Sequence, residues 1–251
     1  MDTLSYILLI STILIGGSSV LLFKYNDTFL KLLLSFSGAY LFSISVLFLV
    51  PEVYSQPMNL PAGIFILIGF FLQILIELFS EGIEHGHIHV HSHKEHTFPL
   101  TMMIALSIHS FLEGMPLANN FINEASEHIS HHHSSSGVGK SLLIGIILHN
   151  IPISIALTSM LLKSGLSNTK SFIWLFVFAI MTPLGTITAQ VLKDQIQNIS
   201  FFSNMLMGLV IGIFLHISTT ILFEASNNHK FNLIKFVTIV LGALAAMSML
   251  L

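Results

Sequence analysis

His109 and Glu113 stand four residues apart in the segment Ala105-Leu106-Ser107-Ile108-His109-Ser110-Phe111-Leu112-Glu113-Gly114-Met115-Pro116, whose surroundings are otherwise apolar. In a helix, that spacing puts an imidazole and a carboxylate on one face, one turn apart. An ionisable group at bilayer depth is costly, so it marks an ion or substrate path by default. A second apolar stretch carries His149-Asn150-Ile151-Pro152. Two imidazoles and a carboxylate suit Zn²⁺ and similar borderline ions. The chain has no cysteine, which excludes thiolate ligands and disulfides. A metal must therefore be held by His, Glu, Asp, Asn, Ser, Met or main-chain oxygen, and the methionines read as gap fillers rather than ligands.

These side chains need elements to place them. Of the 251 residues, 53% are hydrophobic and only 8% charged, against about a quarter charged in a soluble domain. This composition predicts an all-α integral membrane protein, a single transmembrane domain over residues 1–251 with no separate extramembrane domain, and the ionisable residues within its spans make it a transporter domain. A helix needs about 20 apolar residues to cross a hydrocarbon core of roughly 30 Å. Eight segments qualify: Leu4–Phe23, Leu32–Val50, Ala62–Phe79, Leu100–Ala118, Leu142–Leu162, Phe172–Leu192, Phe201–Phe223 and Leu233–Leu251. Asp2 and the lack of a basic n-region make the first a permanent span rather than a cleaved signal.

Every basic residue is a lysine. Lys24, Lys31, Lys94, Lys163, Lys170, Lys230 and Lys235 fall on the side of loops one, three, five and seven, and only Lys140 and Lys193 on the other. Lysine enrichment marks the cytoplasmic side. Both termini are then expected outside and the third loop, residues 81–96, inside, in a plasma membrane of the bacterial inner-membrane kind. A net charge of −3, dispersed along the chain, gives no nucleic-acid footprint. The expected partners are metal ions and the lipid bilayer.

On the fourth span His109 lies about 9 residues, roughly 14 Å, from the cytoplasmic end. His149 on the oppositely directed fifth span lies about 13 residues, roughly 20 Å, from that end. His109, Glu113 and His149 are thus within about one turn of the same depth. A buried His–Glu pair that merely ties helices together is the plain alternative; three such groups at matched depth favour a metal. Pro116 and Pro152 flank the site and Pro183 interrupts the sixth span, each freeing a backbone carbonyl. His216 in the seventh span is a secondary candidate for the transport path, or else a hydrogen-bond partner of Ser218, Thr219 and Thr220. Glu77 is expected at the interface with Glu81 and Glu84. The third loop presents His85, His87, His89, His91, His93 and His96 at mostly alternate positions, a pattern that binds borderline metals without a fixed fold. His128 and His131-His132-His133 form a second cluster in the fourth loop.

An echo between Gly38-Ala39-Tyr40-Leu41, ending at Pro51-Glu52, and Gly212-Ile213-Phe214-Leu215, ending at Phe223-Glu224, suggests an inverted repeat. Spans 1–3 and 6–8 would flank spans 4–5, as in many transporters.

Over essentially its whole length the chain resembles the ZIP (Zrt-, Irt-like protein) family of metal transporters. His109-Ser110-Phe111-Leu112-Glu113-Gly114 matches the family's fourth-span pattern of His, Asn or Ser, two residues, then an acid and Gly. His149-Asn150-Ile151-Pro152 matches the fifth-span His-Glu-Ile-Pro-His-Glu at His, Ile and Pro. Asn150, Ile153 and Ser154 replace its Glu, His and Glu, and Thr182 stands where the sixth span would offer another carboxylate. Glu113 is the single acid left, so one metal is expected rather than two, because two adjacent divalent charges would be poorly compensated. The resemblance implies uptake of Zn²⁺, with Fe²⁺, Mn²⁺, Co²⁺ or Cd²⁺ as further substrates. It also implies a moving bundle of spans one, four, five and six, and a homodimer. No cofactor and no enzyme activity are expected. Two competing readings are an intramembrane zinc-dependent hydrolase, which would use the same ligands to activate water, and a metal-sensing membrane protein without flux. The hydrolase is disfavoured because Glu113 would be spent as a ligand and no His-Glu-x-x-His motif is present.

Overall fold

In the computed structural model, residues 2–55, 61–80, 100–118, 136–193, 195–223 and 233–250 are described, and no strand occurs among them. The histidine-rich segment 81–96 and the cluster at His128 and His131–His133 lie outside the described residues. Polar caps start several helices, as their unpaired N–H groups require. Asp2 accepts from the Ser5 N–H at 3.2 Å and opens α1 (Thr3–Ser18). Asn26 accepts from the Phe29 N–H at 2.7 Å and opens α2 (Asp27–Ile44).

Proline shapes the long second span. Pro51 has no N–H to give to the carbonyl four residues back and crowds it. The helix widens into a π turn over Ser45–Leu49, where the Val50 N–H reaches the Ser45 carbonyl, and resumes as α3 (Val50–Ser55). The third span is α4 (Ala62–Ser80). The fourth, α5 (Leu100–Gly114), tightens into a 3₁₀ turn over Met115–Leu117 around Pro116. The fifth, α6 (Ser136–Lys163), runs through Pro152 without a break. Beyond it Gly165, with φ of 86°, lets the Leu166 N–H fold back to the Leu161 carbonyl at 3.3 Å. The sixth span is split into α7 (Asn168–Ala179) and α8 (Met181–Lys193). The division falls at Ile180, just past the carbonyl that Pro183 would strike. The seventh is α9 (Ile199–Phe223), and α10 (Leu233–Met247) follows with a 3₁₀ turn over Ser248–Leu250.

Seven of these helices are long and apolar enough to cross a membrane, and α10 is a shorter apolar helix of 15 residues. The outer faces carry Leu4, Ile7 and Ile15 of α1, Leu67, Phe71 and Leu78 of α4, and Leu241 and Leu244 of α10, all exposed. So much contiguous apolar surface is stable only against lipid. The chain is an integral membrane protein.

Close helix approach relies on glycine, as it must where no water drives helices together. Against α9, a Cβ on Gly69 of α4 would sit 1.9 Å from the Leu209 carbonyl oxygen, and one on Gly212 would sit 2.0 Å from that of Ile66. Between α5 and α8, a Cβ on Gly185 would lie 1.9 Å from the Phe111 oxygen and one on Gly114 2.1 Å from the Thr182 oxygen. These contacts pin the helices that carry the polar side chains described next.

Candidate metal-ion site

Three spans converge on Glu113. The contacts of Gly114 with Thr182 and of Gly185 with Phe111 bring α8 against α5, and the Thr186 hydroxyl donates to the Gly114 carbonyl at 2.8 Å. One turn earlier on each helix, Ser110 Oγ and Thr182 Oγ1 share a hydrogen bond of 2.8 Å. From α6, Asn150 Nδ2 donates to Glu113 Oε1 at 2.9 Å, and Ser110 Oγ approaches the same oxygen at 3.5 Å. The second carboxylate oxygen, Oε2, faces His109 Nε2 at 3.4 Å. His149 closes the group, its ring edge-on to that of His109 with centroids 6.2 Å apart. His109, Ser110, Glu113, His149 and Thr182 are wholly buried.

As it stands, this cluster is not a coordination shell. Two imidazoles on a tetrahedral ion with Zn–N bonds of about 2.1 Å have centroids roughly 5 Å apart. The observed 6.2 Å is wider. Accordingly, among the described residues no three His, Cys, Asp or Glu side chains form a closed metal-binding group. Pro116 and Pro152 cannot donate to the carbonyls of Leu112 and Leu148, which adds polar oxygen beside Glu113 and His149. Asn150 Oδ1 accepts no hydrogen bond among the described residues, a buried acceptor with capacity for an ion or its water.

His216 and Glu77 meet each other, while Glu81 and Glu84, expected beside Glu77, lie outside the described residues. The Ser218 hydroxyl donates to the Phe214 carbonyl at 2.6 Å, that of Thr219 to Leu215 at 2.6 Å, and that of Thr220 to His216 at 3.0 Å. With these hydroxyls turned onto their own helix, the His216 imidazole crosses to α4, where Nε2 meets Glu77 Oε2 at 2.5 Å. Glu77 therefore pairs inside the bundle. Its signal in the sequence was the four-residue spacing of Gly69, Gln73 and Glu77, matched by Gly208, Gly212 and His216. Each glycine marks the face that the polar residue shares.

A sequence model described as ZIP Zinc transporter matches residues 95–250, well over half of the chain. The chain belongs to the ZIP family. A relative, Protein zntD of Dictyostelium discoideum, is 29% identical over an alignment of 175 residues that covers 64% of this chain and 24% of that protein. The chain thus spans about a quarter of the length of that curated relative.

Against the ZIP fifth-span pattern, the three replaced positions part ways. Asn150 stays at the site, bonded to Glu113. Ile153 is in the apolar core. Ser154 Oγ donates to the Ile151 carbonyl at 2.7 Å and packs beside Gly16 of α1, where an added Cβ would approach it to 2.6 Å. The centre in this ZIP chain therefore keeps one carboxylate, two imidazoles, an amide and two hydroxyls.

Proposed function

We propose that this protein carries divalent transition-metal ions, zinc first among them, into the cytoplasm through a central site of His109, Glu113 and His149. Membership in the ZIP family supports metal transport. The observation that carries the site is the convergence on Glu113, at full burial, of Ser110 from the fourth span and Asn150 from the fifth, with Thr182 of the sixth bonded to Ser110. A wholly buried carboxylate surrounded by neutral donors and imidazoles favours a cation. In this reading a dehydrated ion is taken from outside by Glu113 Oε2 and the two imidazoles, with Asn150 and Ser110 holding Oε1 in place. Opening on the opposite side then releases it inward. With one carboxylate, the site takes one ion.

The packing supports an inverted repeat relating spans 1–3 to 6–8 and span 4 to span 5. Under that relation the α4–α9 contact corresponds to the α10–α2 contact, and α1–α6 to α8–α5; all four are extensive. Glycine occurs at equivalent contacts. Gly69 lies against the Leu209 carbonyl, and Gly242 lies against that of Phe36, where a Cβ would come to 2.3 Å. The 15 α-helical and three 3₁₀ residues at 233–250 reach roughly 28 Å, enough for an eighth span. Eight spans put both termini on one side, and the lysine distribution makes that side the outside, with residues 81–96 in the cytoplasm.

Uptake by proteoliposomes offered Zn²⁺, Fe²⁺, Mn²⁺, Co²⁺ and Cd²⁺ in turn tests the proposal. Saturable Zn²⁺ accumulation above protein-free vesicles is expected. Zn²⁺ binding without accumulation would favour a sensor and overturn transport.

A further inference from the structure

We propose that Tyr40 of α2 is a positioning residue for the transported ion, its phenol oxygen taking a hydrogen bond from the His149 ring nitrogen that faces away from that ion. This role rests on His149 being a ligand, as proposed above. Tyr40 is only 1% exposed, the bulkiest of the fully buried side chains among the described residues, and its hydroxyl has no hydrogen-bond partner among them. A buried phenol ordinarily finds one. Phenylalanine would fill the same space without an unsatisfied oxygen, so packing alone does not account for a tyrosine here. The polar neighbours along its own span are already engaged. Ser37 Oγ donates to the Leu34 carbonyl at 3.2 Å, and Ser45 Oγ to that of Leu41 at 2.8 Å.

The register of α2 against α6 brings the two residues level. Gly145 of α6 is the contact point, where an added Cβ would meet Ile44 Cδ1 at 2.6 Å, Leu41 Cδ2 at 3.1 Å and Tyr40 Cε1 at 3.4 Å. Cε1 is next to the ring carbon that bears the hydroxyl. His149 is one turn beyond Gly145 on the same face, roughly 6 Å along the axis. The second and fifth spans cross in opposite senses, so going back from Ile44 to Tyr40 on α2 also advances roughly 6 Å toward His149. Both side chains are sealed from water. A neutral imidazole that gives one nitrogen to an ion carries N–H on the other, and an acceptor for that N–H fixes the tautomer and the ring angle. The oxygens of Glu113 are turned to His109 and Asn150. Tyr40 supplies the acceptor for His149, from a span that carries none of the three ligands.

Zinc binding to the purified full-length protein, measured by competition with a chromophoric chelator, tests this role in Tyr40→Phe. That variant keeps the ring against Gly145 and removes only the oxygen. Affinity is expected to fall by about tenfold or more, the loss typical for an outer partner of a ligand. The thermal midpoint without zinc should not fall, since no hydrogen bond is lost. Ser37→Ala, one turn away on α2, should change neither. In a His149→Ala background Tyr40→Phe should cost nothing further, because the imidazole it serves is gone. Unaltered affinity in Tyr40→Phe, or an equal loss with and without His149, overturns the proposal. A loss in His149→Ala with none in Tyr40→Phe removes Tyr40 alone, whereas normal binding by His149→Ala removes the central ligand set and this role with it. Crystals of the unmodified protein equilibrated with Cd²⁺ give a geometric readout. Tyr40 Oη should lie about 2.7–3.2 Å from a His149 ring nitrogen, and an ion at His149 with Oη bonded elsewhere overturns the proposal.

Discussion

Glu113 supplies the single formal negative charge of the central cluster, and its two oxygens are used differently. Oε1 is held by Asn150 and Ser110, while Oε2 faces His109. Removing the carboxylate would leave a divalent ion uncompensated at a site with no access to water, a prohibitive cost. Glu113→Ala is expected to reduce saturable zinc uptake to the protein-free background while the protein still inserts and folds, as checked by proteoliposome flux beside thermal unfolding. Asn150→Ala, which frees Oε1 but keeps the charge, should lower apparent zinc affinity by about tenfold, the scale for residues that orient a ligand. Normal uptake kinetics in Glu113→Ala would rule out the central site. The same charge argument limits occupancy. Anomalous maps of Cd²⁺-equilibrated protein should show a single peak among His109, Glu113 and His149. Two peaks there about 4 Å apart, the spacing of two-metal centres, would contradict it.

At the scale of elements, the donors meet because backbones meet. α5 and α8 touch through Gly114 and Gly185, and this contact sets Thr182 against Ser110. A methyl group on Gly185 would lie 1.9 Å from the Phe111 oxygen, a main-chain atom that cannot rotate away. Gly185→Ala must push the two helices apart, with an overpacking cost of about 1–3 kcal/mol. The expected result is a lower thermal midpoint in micelles together with weaker zinc uptake. Gly63→Ala serves as the comparison, because its methyl would meet only the flexible hydroxyl tip of Tyr54, at 3.0 Å, and should leave both unchanged. An unaltered midpoint in Gly185→Ala would show that the α5–α8 contact does not hold the site together.

For the whole molecule, the lack of cysteine provides a clean test of orientation. Lys163, at the end of α6, and Gln195, just beyond α8, are both exposed and lie on opposite sides of the membrane if the helices between them form one broken span. The lysine distribution assigns the Lys163 side to the cytoplasm. A single cysteine in Gln195→Cys should react with an impermeant maleimide on intact cells. One in Lys163→Cys should react only after permeabilisation. The reverse pattern would invert the protein, turn inward release into efflux, and place residues 81–96 outside.

The sequence alone determined the membrane class and the helical content, and it singled out the ionisable residues within the spans, for one physical reason. Ionisable residues are so costly in hydrocarbon that each one within a span stands out without any knowledge of packing. The spacing of His109 and Glu113 also requires no tertiary structure, because a helix of fixed pitch sets it. Which groups would touch was another matter. That Asn150 holds Glu113, that Ser154 instead turns to Gly16, and that Thr182 reaches Ser110 depend on how α5, α6, α8 and α1 are rotated about their axes. Rotation is set by which glycine meets which carbonyl, a long-range contact that apolar periodicity does not encode. The same holds for His216. Local chemistry offered it three neighbouring hydroxyls, but each hydroxyl bonds its own helix backbone within reach of one turn. The close α4–α9 approach at Gly69 and Gly212 then presented Glu77 instead. Tertiary packing, not residue type, decided that pairing.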